Sequence, residues 1–138
     1  MAGYSETPLP KKLGIKEGHR VAVIAPPKGL DGTLGALPEN VALQVGLKGK
    51  TPLDVVVFFV TRRVDLERQL GSIRQRMASA AGLWVAWPKR ASGVATDMTE
   101  NVVREVALST GLVDNKVCAI DETWSGLRLV IRLEHRKP

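Results

Sequence analysis

Apolar residues form several uninterrupted runs along the chain, and the strongest is DVVVFFV at residues 54–60. β-Branched and aromatic residues favour strands, and a strand that is apolar at every position is typical of a parallel sheet covered on both faces. Residues 20–25 and 83–87 show the same pattern, and residues 41–45 alternate weakly. The pattern predicts four strands, three of which lie buried in a sheet.

Between these strands the apolar spacing changes to that of amphipathic helices. From Leu66 to Met77 an apolar side chain recurs at intervals of three or four residues, which places the series on one helix face. A second helix is predicted to start at Asp97, because Asp97 and Glu100 have the spacing of a capping box and an apolar stripe follows them. Gly111 is a natural residue to end it.

The C-terminal part of the chain has the pattern of a hairpin. Residues 116–120 predict one strand, residues 123–126 a connection, and residues 127–133 a strand that alternates apolar and basic side chains. Strands alternating with helices favour a mostly parallel sheet with right-handed crossovers. We therefore predict a three-layer α/β fold whose mostly parallel, twisted sheet ends in an antiparallel hairpin. Residues 1–12 are predicted to be a flexible arm and residues 13–138 one domain.

The cysteine and hydropathy content narrows the class of protein. Cys118 is the only cysteine, so neither an intrachain disulfide nor a cysteine metal site can form, and we predict no metal. The N-terminus has no signal-peptide core, and the longest apolar run, residues 55–60, is far shorter than the roughly 18 residues of a membrane span. These features predict a cytoplasmic protein without a membrane segment.

The net charge of +6 raises the question of an anionic partner. The cations are scattered rather than forming one block, and aromatic residues, which stack on exposed bases, make up only 4% of the chain. Both observations argue against nucleic acid. A nucleic-acid accessory protein that uses the basic N-terminal arm and the helix face of Arg74 and Arg76 is kept as a lesser alternative.

Two segments resemble the class I methyltransferases. LGIKEGHRVAVIA looks like the lead-in and first strand of such an enzyme, and the stretch from DVVVFFV to LRLVIRL is similar to the end of its core. The family follows its first strand with a glycine-rich turn that approaches S-adenosylmethionine, and ends its second strand in an acid that holds the ribose. Here Pro26-Pro27-Lys28-Gly29 replaces the turn, and Gly46 follows Val45. The resemblance therefore implies a truncated, methyltransferase-like (Rossmann-like) core without the S-adenosylmethionine site, and we predict no cofactor.

Further segments resemble a family of small uncharacterised bacterial proteins, a domain family of unknown function. The shared segments are GYSETPLPKKLGIK, WPK, TDMTEN and KVCAIDETWSGL, in this order, and they cover nearly the whole chain. This resemblance implies a bacterial source and supplies no activity.

In an open parallel sheet, ligands bind beyond the carboxyl ends of the strands. That edge is predicted to gather cations, two carboxylates, two tryptophans and the start of the helix at Asp97, whose amide N–H groups would favour an anion. A small anionic ligand is therefore the leading hypothesis. The candidate binding residues are Lys28, Arg62, Trp87, Lys89, Asp97, Thr99, Asn101, Asp121, Glu122 and Trp124.

Each candidate also has a structural interpretation. Asp97 could be a simple helix cap, and Lys89 and Arg62 could be solvated loop cations that pair loosely with Asp121 or Glu122. The carboxylates of Asp121 and Glu122 could instead close the hairpin by accepting backbone N–H groups. Trp84 is predicted to be core, whereas Trp87 and Trp124 could close the sheet edge or floor a pocket. These alternatives stay open on the sequence alone.

The sequence favours a binding module for a small anionic ligand or a partner-protein segment over an enzyme. No P-loop, HExxH, GxGxxG or serine triad occurs, and His19 and His135 are predicted to lie away from the carboxyl edge. A small enzyme that uses Asp121 or Glu122 as acid–base with Lys89 stabilising negative charge is the alternative. Neither hypothesis specifies the oligomeric state.

Overall fold

Six strands pair into one mixed sheet within residues 7–136, the part of the chain that the computed structural model describes. Their order across the sheet is β2-β1-β3-β4-β6-β5. The first four strands are parallel, and β6 is antiparallel to both of its neighbours. This topology confirms the predicted mostly parallel sheet with a C-terminal antiparallel hairpin. The strands are β1 (Arg20–Ile24), β2 (Ala42–Val45), β3 (Leu53–Phe59), β4 (Met77–Pro88), β5 (Leu112–Ala119) and β6 (Trp124–Ile131).

Four α-helices in the described residues cover the two faces of this sheet. They are α1 (Leu9–Lys12), α2 (Leu30–Leu34), α3 (Arg63–Arg76) and α4 (Glu100–Leu108). The buried side chains of α3 and α4 join one core cluster, and those of α1 and α2 join another. We call the two sides of the sheet the α3 face and the α1 face.

β3 is apolar at successive positions because it is buried on both faces of the sheet. Val56 and Phe58 belong to the core on the α3 face, whereas Val55, Val57 and Phe59 belong to the core on the α1 face. Successive strand residues point to opposite faces, so a strand buried on both sides needs an apolar residue at every position. Burial of each such side chain stabilises the fold by about 1.5–3 kcal/mol relative to exposure.

The boundary between α3 and β4 differs from the prediction. The periodic series predicts that Met77 continues the helix and that the strand starts at Leu83, but Met77 has extended backbone angles and begins the twelve-residue β4. Leu53 of β3 pairs with Met77. Pairing with β3 therefore overrides the apolar spacing, which Met77 satisfies in either conformation.

The hairpin strands also start elsewhere than predicted. β5 begins at Leu112 rather than Lys116, directly after α4, and β6 begins at Trp124 and ends at Ile131 rather than running from Leu127 to Leu133. Turn-forming residues at 123–126 indicate a connection, yet Trp124 and Ser125 already pair with β4.

The packed part of the chain begins no later than Leu9, rather than at Leu13. Leu9 and Pro10 are buried in α1, and the indole N–H of Trp84 donates to the carbonyl of Leu13 at 3.0 Å. Residues 1–6 of the predicted arm lie outside the described residues. Within residues 7–136, no helix is long and apolar enough to cross a membrane.

The two arginines at the end of α3 bind neighbouring loops. Arg74 Nε donates to the carbonyl of Thr110 at 2.6 Å, and the guanidinium of Arg76 donates to the carbonyls of Leu47 and Thr51. These two side chains therefore do not form the free basic face on which the nucleic-acid alternative depends.

Candidate functional site

The carboxyl ends of β1, β3, β4 and β5 lie along one edge of the sheet, as predicted. β5 runs in the same direction as β4, because β6 lies between them and is antiparallel to both. This edge, which we call the carboxyl edge, gathers most of the predicted binding residues, but it uses many of their polar groups to hold its own loops.

Lys89 fastens the end of β4 to the hairpin turn. Its Nζ donates to the carbonyl of Asp121 at 2.7 Å and its backbone N–H donates to the carbonyl of Thr123 at 2.7 Å. The ammonium group is part-buried and already donates to an acceptor of the protein, so it is not a solvated loop cation.

Asp121 closes the same turn. Its Oδ1 accepts the backbone N–H groups of Thr123 and Trp124, each at 2.8 Å. This contact confirms the hairpin-closing interpretation for Asp121. Glu122 is exposed and projects from the turn without a hydrogen bond or ion pair within residues 7–136. Asp121 and Lys89 both satisfy main-chain groups, so their geometry does not favour the acid–base alternative.

Asp97 caps a different helix from the predicted one. Its Oδ1 accepts the backbone N–H of Arg63 at 2.7 Å, at the first residue of α3. Thr99 is the N-cap of α4, where its hydroxyl oxygen accepts the N–H of Val102 at 3.1 Å, and the helix itself begins at Glu100.

The connection before α4 explains this correction. The hydroxyl of Thr96 donates to the carbonyl of Thr61 at 2.6 Å, which lays the connection against the entry to α3 and brings Asp97 to Arg63. Asp97 and Thr99 are both good capping residues, and the sequence alone does not show which helix each one serves. Tertiary packing decides between them.

The three tryptophans lie in two layers. Trp84 is fully buried on the α1 face, which confirms its predicted place in the core. Trp87 is buried on the α3 face, whereas Trp124 is half-buried on the α1 face and contacts Phe59 edge to face at 5.1 Å between ring centroids. The sheet separates Trp87 from Trp124, so the two rings do not line a common pocket.

The remaining predicted residues lie apart from one another. Arg62 and Lys28 are exposed at the ends of β3 and β1. Asn101 is exposed on the first turn of α4, with its side-chain oxygen 3.4 Å from the guanidinium of Arg104. The structure does not bring these three side chains into a common site.

A cavity of about 480 Å³ lies beyond the end of β4, on the α3 face. We call it the β4 cavity, and two of the predicted residues, Trp87 and Thr99, line it. Arg90, which follows the predicted Lys89, supplies its cation and is absent from the predicted set. The remaining lining residues are Pro88, Gly93, Val94, Ala95, Thr96, Met98 and Glu100.

A smaller cavity of about 250 Å³ lies beyond the ends of β1 and β2. Its walls are largely apolar, and Asp31 is the one carboxylate among the described residues that line it. The turn after β1 contains Pro26 and Pro27, and exposed Leu43 and Val45 of β2 form its outer side.

The architecture matches solved methyltransferase structures. A S-adenosylmethionine-dependent methyltransferase from Aquifex aeolicus superimposes with a TM-score of 0.59 at 15% identity, over 88% of this chain and 87% of that one. Magnesium protoporphyrin IX methyltransferase from Synechocystis gives 0.61 at 10% identity, over 90% and 74%. Fibrillarin from Aeropyrum pernix gives 0.56 at 15% identity, over 93% and 70%.

The fold is methyltransferase-like. Likenesses at these identities show the fold alone. No protein-family model matches the chain, and the search of curated proteins found no match. The resemblance to a family of small bacterial proteins therefore stays a prediction.

The residues at the ends of β1 and β2 do not fit S-adenosylmethionine. Proline has no backbone N–H, so Pro26 and Pro27 remove two donors from the turn where the backbone would meet the ligand. β2 ends at Val45 and is followed by Gly46, so the acid expected for a ribose is missing from that position. No chemistry of this cofactor is assigned to the chain.

Other reactive groups lie outside the carboxyl edge. Burial raises the pKa of the Cys118 thiol, although Lys12 and Lys116 act in the opposite direction, so Cys118 is a weak nucleophile. His19 lies before β1, and its Nδ1 accepts the backbone N–H of Lys16 at 3.1 Å. Within residues 7–136, no three His, Cys, Asp or Glu side chains are grouped so that they could hold a metal ion.

Proposed function

We propose that this chain is a binding module that holds a small carboxylate with an apolar body in the β4 cavity. The residues that line this cavity support the proposal. The lining combines a buried indole, an exposed arginine and the first turn of α4 at the edge where parallel α/β sheets bind ligands.

The apolar part of the lining suits a hydrocarbon or aromatic group. Trp87 and Met98 are buried at the cavity, and Val94 is an exposed apolar residue of the connection beside it. A ligand that covers Val94 would gain roughly 25 cal/mol for each Å² of its exposed apolar surface removed from water.

The charges of the cavity suit one negative group. Arg90 is exposed and has no ion pair within residues 7–136. Glu100, the carboxylate of the same lining, is paired with Arg104 at 2.5 Å. The unpaired positive charge of Arg90 therefore makes the cavity favour a negatively charged ligand. A guanidinium can bind a carboxylate through two parallel N–H groups.

The proposal is tested by calorimetric titration of the full chain with a panel of aromatic and aliphatic carboxylates. Arg90→Gln is expected to weaken any hit by about tenfold or more, because a charge-assisted hydrogen bond contributes about 1.5–3 kcal/mol. Val94→Asp, which adds a negative charge at the cavity, is expected to weaken it as well.

The matched control is Arg68→Gln, which removes the same charge from an exposed residue of α3 that is outside the cavity lining. It should leave the affinity unchanged. Equal affinities for the parent chain, Arg90→Gln and Val94→Asp would show that the β4 cavity is not the binding site.

A further inference from the structure

We infer that the opposite, amino edge of the sheet carries a second and separate site, which binds small polyphosphates. This basic pocket has a volume of about 480 Å³ and lies on the α1 face between the end of α1, the start of β3 and the hairpin. Its cationic lining residues are Lys11, Lys12, Lys16, Lys116 and Arg128.

Arg128 is the centre of this basic pocket. Its guanidinium lies flat against Gly82 of β4, and a Cβ atom at position 82 would be only 2.5 Å from Arg128 Nε. Glycine within a strand usually weakens the strand and marks a place where another group approaches the backbone closely. Gly82 is therefore the residue that allows a guanidinium to lie on the sheet.

Within residues 7–136, no carboxylate pairs with the guanidinium. Arg128 is half-buried, and within residues 7–136 its side chain makes no hydrogen bond or ion pair. Burial lowers its pKa, and the nearby charge of Arg136 lowers it further. A partly desolvated cation without a partner is unfavourable, and a bound anion would remove that cost.

The rest of the lining adds positive charge and little negative charge. Asp54 is the one carboxylate among the described lining residues, and its Oδ2 already accepts the backbone N–H of Arg20 at 2.8 Å. Lys12 Nζ donates to the carbonyl of Ala119 at 3.1 Å. The side chains of Lys16 and Lys116 are exposed and have no partner within residues 7–136.

The lining favours phosphate groups over other anions. A guanidinium binds phosphate oxygens in pairs, several lysines around one cavity match a ligand with several negative charges, and the volume lies in the range of small-molecule sites. His19 also lines the pocket, and its Nδ1 accepts the backbone N–H of Lys16. No Phe, Tyr or Trp side chain of the described residues lines the pocket, so the imidazole of His19 is the one ring there on which a nucleobase could stack.

The test is calorimetric titration of the full chain with sodium tripolyphosphate, pyrophosphate and inorganic phosphate at about 50 mM salt. Affinity is expected to rise from phosphate to tripolyphosphate. The double variant Lys116→Gln with Arg128→Gln should weaken tripolyphosphate binding by about tenfold or more, since it removes two charge-assisted contacts. Gly82→Ala should weaken it too, because the new methyl group displaces the guanidinium.

The matched control removes two exposed charges elsewhere, Arg68→Gln with Lys48→Gln, and should leave tripolyphosphate binding unchanged. Lys16→Gln provides a variant at an exposed residue whose folding is not in question, and it is expected to weaken binding by a few-fold.

Three results would overturn the inference. They are failure of tripolyphosphate to bind, an equal loss of affinity in the control double variant, and tighter binding of a short single-stranded oligonucleotide than of tripolyphosphate with the same dependence on Lys116 and Arg128. The last result would make the pocket a nucleic-acid site. Variants at Arg90 should not affect tripolyphosphate binding, so this test is independent of the carboxylate proposed for the β4 cavity.

Discussion

The two edges of the sheet use their charged side chains in opposite ways. At the carboxyl edge, Lys89 and Asp121 hold the hairpin turn through main-chain carbonyl and N–H groups. At the amino edge, the side chains of Lys116 and Arg128 line a cavity and make no hydrogen bond or ion pair within residues 7–136. Polar residues that follow strands are therefore not by themselves evidence of a ligand site, because a loop that leaves a sheet needs partners for its own backbone.

Unpaired charges at the two edges also differ in how well water can solvate them. Arg90 and Glu122 are exposed, so water satisfies them at little cost. Arg128 is half-buried over Gly82, where water satisfies it less completely. Its missing partner is the stronger indication of a ligand.

Asp121 is the charged side chain whose removal is expected to destabilise the carboxyl edge most. Asp121→Ala removes the acceptor of two backbone N–H groups at 2.8 Å each and should lower the free energy of unfolding by about 2 kcal/mol. Urea denaturation measures the change. Glu122→Ala, at the exposed neighbour, should stay within about 0.5 kcal/mol of the parent chain. Equal effects of the two variants would show that Asp121 does not hold the turn.

The next effect distinguishes the two helix caps. Asp97→Ala and Thr99→Ala should each cost about 1 kcal/mol, but through different helices. Hydrogen exchange should show faster exchange in the first turn of α3 for the Asp97 variant and in the first turn of α4 for the Thr99 variant. Faster exchange in α4 for both variants would restore the capping box that the sequence predicts.

The sequence predicts the buried strands of this fold better than the contacts between its loops and helices. The buried strands were predictable, because burial on both faces requires an apolar residue at every position of β3. The correct cap for each helix was not, since Asp97 and Thr99 both have capping side chains and only the packing of Thr96 on Thr61 selects between them.

The candidate site was harder to predict than the fold for the same reason. Lys89 and Arg90 are adjacent and chemically alike, yet Lys89 bonds the hairpin turn and Arg90 lines the β4 cavity. Gly82 and Arg128 are distant in the sequence and meet only through the pairing of β4 with β6. Gly82 directly precedes the strand predicted at residues 83–87, so the sequence pattern did not show that it lies inside β4 or that it contacts Arg128.

A smaller effect, with the opposite sign to that of Asp121, is expected at Arg128. Arg128→Met keeps much of the apolar stem and removes a half-buried charge that has no partner within residues 7–136. Without added anions, the free energy of unfolding should stay within about 0.5 kcal/mol of the parent value or rise. A loss above about 1 kcal/mol would mean that Arg128 stabilises the fold and that the contrast between the two edges is wrong.

The smallest effect uses Cys118 as a reporter of the basic pocket. Lys12 and Lys116 line that pocket, and both lower the pKa of the Cys118 thiol against the larger effect of burial, which raises it. A polyanion held by these lysines would offset their charge, raise the thiol pKa further and reduce the thiolate fraction. Alkylation of Cys118 by iodoacetamide at pH 8 should then slow by roughly twofold when tripolyphosphate is added. Because Cys118 is the only cysteine, mass spectrometry can follow the reaction directly. The same concentration of tripolyphosphate should leave the alkylation rate unchanged in the Lys116→Gln, Arg128→Gln double variant. An equal slowing in that variant would show that ionic strength, rather than occupancy of the pocket, causes the effect.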